Sequence, residues 1–181
     1  MANLVDRMLR AARLDASVYE EVEADTTALG QAMTVVVLSS MAGGIGTHNG
    51  LGGLIAGAIA SLIGWYIWAF LTYYIGTKWL PEPTTEADVG QMLRTLGFAS
   101  TPGLIRIVGL IPGVGMIALI AAPIWMLCTM VVAVRQALDY GSTARAIVVC
   151  LIGFVVQVIA ILIIFFALGA MIGSQPGLPE A

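Results

Sequence analysis

The chain has little charge, few cysteines and a single histidine, and each shortage excludes a class of protein. Charged residues make up 10% of its 181 residues, against about a quarter in soluble domains, so the composition disfavours a water-soluble fold. Cys128 and Cys150 are too few for a disulfide framework or a zinc site. His48 alone supplies neither the paired ligands of a membrane haem nor a metal site of imidazoles. Because no basic stripe exists to neutralise phosphates, we expect no nucleic-acid binding.

Catalytic motifs are missing as well. The sequence has no Gly-x-Ser-x-Gly nucleophile elbow, no His-Glu-x-x-His and no Gly-Lys-Ser/Thr phosphate loop. The glycine-rich stretch 43–53 lacks the lysine and the preceding strand of a phosphate-binding loop. Glu20 and Glu21 precede the apolar runs, and no arginine follows directly after the pair. We therefore predict a protein without enzymatic activity, cofactor or metal.

Long apolar runs are what the sequence has in abundance. Hydrophobic residues reach 59%, and the mean hydropathy is +0.95. Such runs predict an all-α polytopic membrane helix bundle with about five transmembrane helices. The predicted domains are an N-terminal segment 1–28, a membrane domain 29–170 with spans at 29–45, 51–74, 89–110, 114–134 and 146–170, and an exposed tail 171–181. We expect the first span to act as the insertion signal, because 1–28 has no continuous apolar core.

The N-terminal segment is amphipathic. Its apolar residues share one helical face, with arginines among the rest: Leu4, Val5, Met8, Leu9 and Ala12. This pattern fits a helix on the membrane surface, and it equally fits a helix packed on the bundle. Ser17 followed by Glu20 predicts a capping box that opens a short acidic helix. Asp25 is expected to cap the helix that follows.

The segment 89–110 is the least apolar of the predicted spans. It contains two arginines and a break at 100–103, so it is either a broken spanning helix or a re-entrant element. If it spans, seven of the eight basic residues lie on the cytoplasmic side, and Arg106 lies toward the outside. If it is re-entrant, Arg135 and Arg145 lie outside and Arg106 lies on the cytoplasmic side. Six of the eight basic residues are then cytoplasmic. The positive-inside rule therefore favours five spans, a cytoplasmic N-terminus and an external C-terminus.

Three arginines are candidates for contact with lipid or for ion pairs: Arg94, Arg106 and Arg135. Arg94 lies about five residues into its span, where a guanidinium snorkels to the headgroups at modest cost. The alternative is an interhelical partner or a lipid phosphate. The candidate partners within the chain are Glu86, Asp88 and Asp139.

Small residues recur at helical spacing in the second span. Gly53, Gly57 and Ser61 lie four residues apart, and such rows let helix backbones approach closely in lipid. They predict close packing within the bundle or a face between subunits. Gln157 stands alone in the middle of the last span and predicts an interhelical hydrogen bond, since its amide would be costly facing lipid.

Several strings resemble the bacterial branch of the Yip family of membrane proteins. They are 13–15 (Arg-Leu-Asp), 19–22 (Tyr-Glu-Glu-Val), 30–32 (Gly-Gln-Ala), 76–78 (Gly-Thr-Lys), 90–99 and 133–138. The resemblance implies a compact five-span fold with a cytoplasmic N-terminus, located in the bacterial plasma membrane. Eukaryotic relatives bind Rab-type GTPases and carry an Asp-Leu-Tyr-Gly-Pro string before the first span. This chain has no such string, which counts against a GTPase partner.

The sequence-based hypothesis is a non-enzymatic membrane scaffold or adaptor of Yip-like type, in one form an accessory subunit of a larger complex. Its expected partners are the lipid bilayer and other membrane proteins or further copies of itself. The alternative hypothesis is a small transporter or channel, because an interrupted helix such as 89–110 often forms a substrate site.

Overall fold

The structure is a computed structural model that describes residues 3–47 and 50–173. Every regular element in these ranges is helical. The seven α-helices are α1 (Leu4–Ala12), α2 (Ala16–Ala24), α3 (Leu29–Gly46), α4 (Gly50–Tyr74), α5 (Val89–Ala99), α6 (Gly115–Ala137) and α7 (Thr143–Gly173). The predictions for His48 and for most of the tail lie outside the described residues.

Helix α1 packs on the bundle and keeps an apolar edge facing outward. Met8 and Ala11 are buried, whereas Val5 and Leu9 are more than half exposed. Trp125 of α6 donates a hydrogen bond of 2.8 Å to the carbonyl oxygen of Ala12 at the end of α1. Packing on the bundle is thus observed, and the outer edge retains the residues that a membrane surface requires.

Side-chain caps define where α2 and the 3₁₀ turn before α3 begin. The predicted capping box at Ser17 is wrong, because Asp15 is the N-cap of α2 and accepts hydrogen bonds from the backbone nitrogen and hydroxyl of Ser17. An aspartate two residues earlier leaves the Ser17 hydroxyl as a donor. Asp25 caps the 3₁₀ turn Thr26–Ala28 that leads into α3 and accepts from the Thr27 nitrogen. That cap was predicted.

Four helices in the described residues are long and apolar enough to cross a membrane: Thr26–Gly46, Gly50–Trp79, Gly115–Ala137 and Thr143–Ala160. They correspond to the predicted first, second, fourth and fifth spans. Helix α4 continues as a π-helical turn, Ile75–Trp79, and ends before Pro81. The prediction of an all-α membrane helix bundle is confirmed.

The third predicted span, 89–110, which we call the broken segment, is interrupted, as its sequence predicts. Helix α5 begins with a capping box between Asp88 and Gln91 and ends at Ala99, and a 3₁₀ helix, Thr101–Leu110, follows it. Pro102 lies in the first turn of this 3₁₀ helix. Proline has no backbone N–H to donate, so the regular α-helical ladder stops there.

The broken segment runs along α3 in the same direction. Gly97 contacts Ala32, Gly103 contacts Ser39, and Gly109 contacts Gly46. These three contacts advance in the same order along the broken segment and along α3. The segment therefore starts beside the beginning of α3 and ends beside its last residue.

The broken segment runs antiparallel to α6. The Thr129 hydroxyl donates a hydrogen bond of 2.7 Å to the carbonyl oxygen of Ala99, and Gly115 lies against Gly109. The segment therefore begins and ends at opposite ends of the bundle. We call the end that holds Thr47 and the turn 110–114 the far end, and the end that holds α1 and α2 the cap end.

The best-buried part of the molecule lies at the cap end. Its largest fully buried side chains come from α2, α5 and the segments that follow α4 and α6: Tyr19, Ile75, Met92, Leu96, Phe98 and Leu138. Toward the far end, large apolar side chains of α4, α6 and α7 are exposed, such as Ile55, Ile117 and Leu162. An apolar surface of this kind is typical of helices whose solvent is lipid.

Candidate functional site

Arg94 connects the N-terminal helices to the bundle. It is 7% exposed, and its Nε donates a hydrogen bond of 2.9 Å to the carbonyl oxygen of Val22. Its Nη2 donates to the carbonyl oxygen of Glu23. A guanidinium at this position binds the carbonyls that the last turn of α2 leaves unpaired, and its charge matches the negative end of that helix. The predicted carboxylate partners of Arg94 are therefore replaced by backbone carbonyls.

A second arginine holds α1, α2 and α3 together. Arg7 is 3% exposed and donates to Glu21 at 2.8 Å, to Asp25 at 2.8 Å and to Gln31 at 2.9 Å. Hydrogen bonds from Thr27 and Arg7 lower the pKa of Asp25 to about 2. Arg10 adds a 2.6 Å contact to Glu21. The cap formed by α1 and α2 is thus fixed by charge-assisted hydrogen bonds at both ends.

Glu23 is the unusual acid of the cap. Its side chain is 9% exposed, and its Oε2 has no hydrogen-bond partner in residues 3–47 and 50–173. Burial, followed by the negative charges of Asp139 and Glu20, raises the pKa of Glu23 to about 7. Burial and these two acids together therefore raise the pKa of Glu23 more than the positive charge of Arg94 lowers it.

The acids that act on Glu23 also line a groove outside the apolar spans. This acidic groove has a volume of about 520 Å³ and is lined by Glu20, Glu82, Pro83, Thr84, Arg135, Gln136, Asp139, Tyr140 and Gly141. It lies where α2, the segment after α4 and the α6–α7 turn meet. The Thr84 hydroxyl, which donates to the Asp139 carbonyl oxygen at 3.0 Å, joins two of these segments.

The basic residues near the acidic groove are used to hold its walls. Arg135 donates to the carbonyl oxygen of Tyr140 at 3.2 Å and to the Thr143 hydroxyl at 3.2 Å, so it fixes the α6–α7 turn. Arg145 pairs with Glu82 at 3.1 Å. Glu20 and Asp139 are exposed and have no salt bridge among the described residues. The groove therefore presents negative charge.

A second cavity lies among the apolar helices and holds about 610 Å³. Most of its glycines and serines come from α3 and α4, and its larger apolar side chains come from α3, α4, α5, α6 and α7. Its polar or small residues are Ser39, Ser40, Gly43, Gly44, Thr47, Gly53, Gly57, Ser61, Gly64, Ser100, Arg106 and Gln157. Its larger apolar residues are Val36, Trp65, Trp68, Leu96, Leu119, Met126, Leu127, Met130 and Phe154. We call it the membrane cavity.

The predicted packing residues line this cavity. A Cβ atom at Gly57 would lie 3.6 Å from Ser40 Oγ, an ordinary contact, and one at Gly64 would meet nothing within 4 Å. Gly53, Gly57 and Ser61 therefore lie on the cavity, and close packing of helix backbones at these residues stays a prediction. Gln157 also lines the cavity, and its amide makes no hydrogen bond to any other residue that the structure describes. A small-residue face between subunits stays a prediction.

Close backbone approach occurs at other glycines. A Cβ at Gly97 would lie 2.6 Å from Ala32 Cβ, and one at Gly109 would lie 2.7 Å from the carbonyl oxygen of Gly46. These glycines let the broken segment lie against α3. Gly109 belongs to a repeat that the sequence shows only weakly, with Gly113, and Gly97 belongs to none, so spacing alone did not single them out.

Arg106 reaches the membrane cavity from the 3₁₀ helix. Its Nε donates to the carbonyl oxygen of Gly103 at 3.0 Å, and its Nη2 donates to the carbonyl and hydroxyl oxygens of Ser39 at 2.7 and 3.0 Å. Its guanidinium lies against Gly43, where a Cβ would be 3.0 Å from Cζ. Nη1 has no hydrogen-bond acceptor in the described part of the chain. The break in the segment thus places a half-buried cation beside an apolar space.

The family described as the Yip1 domain matches residues 19–165. The chain belongs to the Yip family. No curated protein and no solved structure matches it. Yip proteins are non-enzymatic membrane proteins that interact with membranes and partners, and the Yip match together with the apolar helices makes this chain an integral membrane protein.

The family assignment confirms the resemblance noted in the sequence. The matched region begins within α2 and extends into α7, so it includes Arg94, the acidic groove and the membrane cavity. Membership of the bacterial branch stays a prediction.

Proposed function

We propose that this Yip protein is a non-enzymatic membrane scaffold or adaptor, in the specific form of an accessory subunit that docks onto another membrane protein. The observation that carries the proposal is the acidic groove, in which Glu20 and Asp139 present charge beside the buried, incompletely bonded Glu23. A lysine or arginine of a partner seated there would relieve the repulsion among these acids. The partner surface we propose is therefore basic.

The rigid cap supports this role. A docking surface discriminates between partners best when its charges are held in place before binding. Arg94 and Arg7 fix α2, which carries Glu20, and the Thr84 and Arg145 contacts fix the opposite wall. No Rab-type GTPase is part of the proposal, because the chain lacks the string that eukaryotic relatives carry.

The proposal includes the topology of the chain. We propose that all five segments cross the bilayer of a bacterial plasma membrane, with α1, α2 and the acidic groove in the cytoplasm and the C-terminus outside. The path of the broken segment from the cap end to the far end supports five crossings. The charge count favours the cytoplasm for the cap end.

The experiment measures binding of a labelled oligolysine peptide to the full chain in zwitterionic nanodiscs by fluorescence anisotropy. We expect salt-sensitive binding that becomes roughly tenfold weaker in the double variant Glu20→Gln, Asp139→Asn. Asparagine tolerates the left-handed backbone at Asp139, where φ is 51°, and glutamine retains an acceptor for Gln136. The matched control is Asp6→Asn, an exposed acid of α1 outside the groove.

Two outcomes would count against the proposal. Oligolysine binding that is absent, or equal in the double variant and the control, would remove the groove as a docking surface. A chain extracted from its native membrane in mild detergent as a strictly monomeric, partner-free particle would remove the accessory-subunit form.

The transporter hypothesis keeps one specific observation in its favour, the placement of Arg106 on a cavity between the helices. A flux assay in liposomes tests it, comparing the unmodified chain with Arg106→Gln and Arg94→Ala for anionic solutes. Flux that is unchanged by both substitutions would end this alternative.

A further inference from the structure

We infer that the membrane cavity is a binding site for one anionic glycerophospholipid, with the phosphate at Arg106 and an acyl chain along α4. The inference rests on the cavity alone and does not depend on the acidic groove or on a protein partner. Its volume of about 610 Å³ lies within the roughly 300–1,000 Å³ of pockets that hold small ligands.

The charge of Arg106 selects an anion. Arg106 forms no salt bridge with an acid of residues 3–47 or 50–173, and its three acceptors are two carbonyl oxygens and one hydroxyl. A cation among apolar residues is costly unless an anion compensates it. Guanidinium groups bind phosphate oxygens through charge-assisted hydrogen bonds, and Nη1 remains as a donor for one.

The depth of Arg106 fits a headgroup. Its backbone lies against Gly46, the last residue of α3, and its guanidinium lies against Gly43, about one turn before the far end, with Nη2 bonded to Ser39. Lipid phosphates lie at the boundary of the bilayer, so an outer-leaflet lipid has its phosphate at this level. A free arginine would have to snorkel, whereas here its Nε and Nη2 are held by Gly103 and Ser39 and its position is fixed.

The rest of the cavity fits the tail of the same molecule. Gly53, Gly57 and Gly64 leave a shallow channel along α4, and Trp68 and Met130 close it toward the cap end. Ile55 and Ile59, on the same stretch of α4, are more than half exposed. The Ser61 hydroxyl donates to the Ala58 carbonyl oxygen at 2.9 Å, whereas the Gln157 amide on the cavity wall suits an ester oxygen of the lipid. A site with a cation at one end and apolar walls along the remainder fits an amphiphile rather than a soluble anion.

The experiment is native mass spectrometry of the full chain from nanodiscs that contain phosphatidylglycerol, phosphatidylcholine or both. We expect one retained phosphatidylglycerol per chain, in preference to phosphatidylcholine. Arg106→Gln should weaken its retention roughly tenfold, because a charge-assisted contact is lost. Arg13→Gln, an exposed arginine of the cap end, is the matched control and should retain the lipid.

A second variant separates lipid loss from a folding defect. Gly57→Leu leaves Arg106 and its bonds intact, meets only ordinary contacts at its Cβ, and fills the channel. We expect it to fold, as judged by its thermal unfolding midpoint, and to lose the retained lipid. Retention of phosphatidylglycerol by both folded variants would overturn the inference.

A third experiment distinguishes a lipid phosphate from a free phosphate ion. The chain is titrated with inorganic phosphate in phosphatidylcholine nanodiscs, with and without Gly57→Leu. We expect no saturable binding of phosphate alone at millimolar concentration. Binding that Arg106→Gln abolishes and Gly57→Leu leaves unchanged would assign the site to a free anion and overturn the lipid proposal.

Discussion

Arg94 Nε donates a hydrogen bond of 2.9 Å to the carbonyl oxygen of Val22, which lies 72 residues earlier in the chain. The bond joins α5, a short helix whose residues from Met92 to Ala99 are all buried, to the end of the cap. Since the same guanidinium also binds the Glu23 carbonyl, one side chain satisfies two carbonyls of the last turn of α2. The cap is thereby an integral part of the membrane domain.

Replacing Arg94 should release the cap. Arg94→Gln removes a buried, charge-assisted contact of the kind that contributes about 1.5–3 kcal/mol. We expect faster amide hydrogen exchange in residues 16–24, measured by mass spectrometry in detergent, with little change in α6. Arg13→Gln, exposed on the same cap, is the control. Equal protection of α2 in both variants would show that the cap is held by other contacts.

Much of the fold is predictable because lipid imposes a simple requirement on helix length and polarity. The apolar runs that become α3, α4, α6 and α7 are recognisable from composition, and the interruption at 100–103 is recognisable from proline and glycine. The partners of Arg94 were not predictable. Its acceptors are backbone carbonyls, which every residue possesses, so no sequence signal distinguishes Val22 and Glu23 from the rest.

The candidate sites were likewise only partly predictable from the sequence. Gly53, Gly57, Ser61, Gln157 and Arg106 were each singled out by their chemistry, yet nothing in their spacing shows that they line one cavity. Small residues permit either close packing or open space, and only the placement of neighbouring helices decides between them. Gly97, by contrast, packs closely against Ala32.

Stability should depend on pH through Glu23. Because its folded-state pKa is raised to about 7, from the ordinary value near 4.5, the folded protein holds a proton that the unfolded chain releases. Stability is therefore greatest below pH 4.5 for this group and falls as pH rises through 7. The full difference is on the order of 3 kcal/mol.

The measurement for Glu23 is the thermal unfolding midpoint in detergent between pH 5.5 and 8. We expect the midpoint of the unmodified chain to fall across this range and that of Glu23→Gln to change less, because the amide does not titrate. Glu86→Gln, an exposed acid after α4, should behave like the unmodified chain. A pH dependence that survives unchanged in Glu23→Gln would contradict the assignment.

The five-crossing topology gives a labelling pattern. In a background of Cys128→Ala and Cys150→Ala, single cysteines are placed at Glu86 and Ser142 at the cap end and at Thr47 and Val114 at the far end. We expect an impermeant maleimide to label the latter pair in intact cells and the former pair only after the membrane is opened. Labelling of Ser142 together with Thr47 in intact cells would mean that the broken segment does not cross.

The approach of α5 to α3 can be tested by adding one carbon atom. In Gly97→Ala the new methyl group would lie 2.6 Å from Ala32 Cβ and 3.0 Å from its Cα, so a helix must shift. Overpacking of this kind costs roughly 1–3 kcal/mol. Gly64→Ala adds the same carbon to α4, where nothing lies within 4 Å, and should leave stability unchanged or raise it by up to about 1 kcal/mol. Thermal unfolding midpoints in one detergent compare the two variants, and equal midpoints would show that α3 and α5 are not in contact at Ala32.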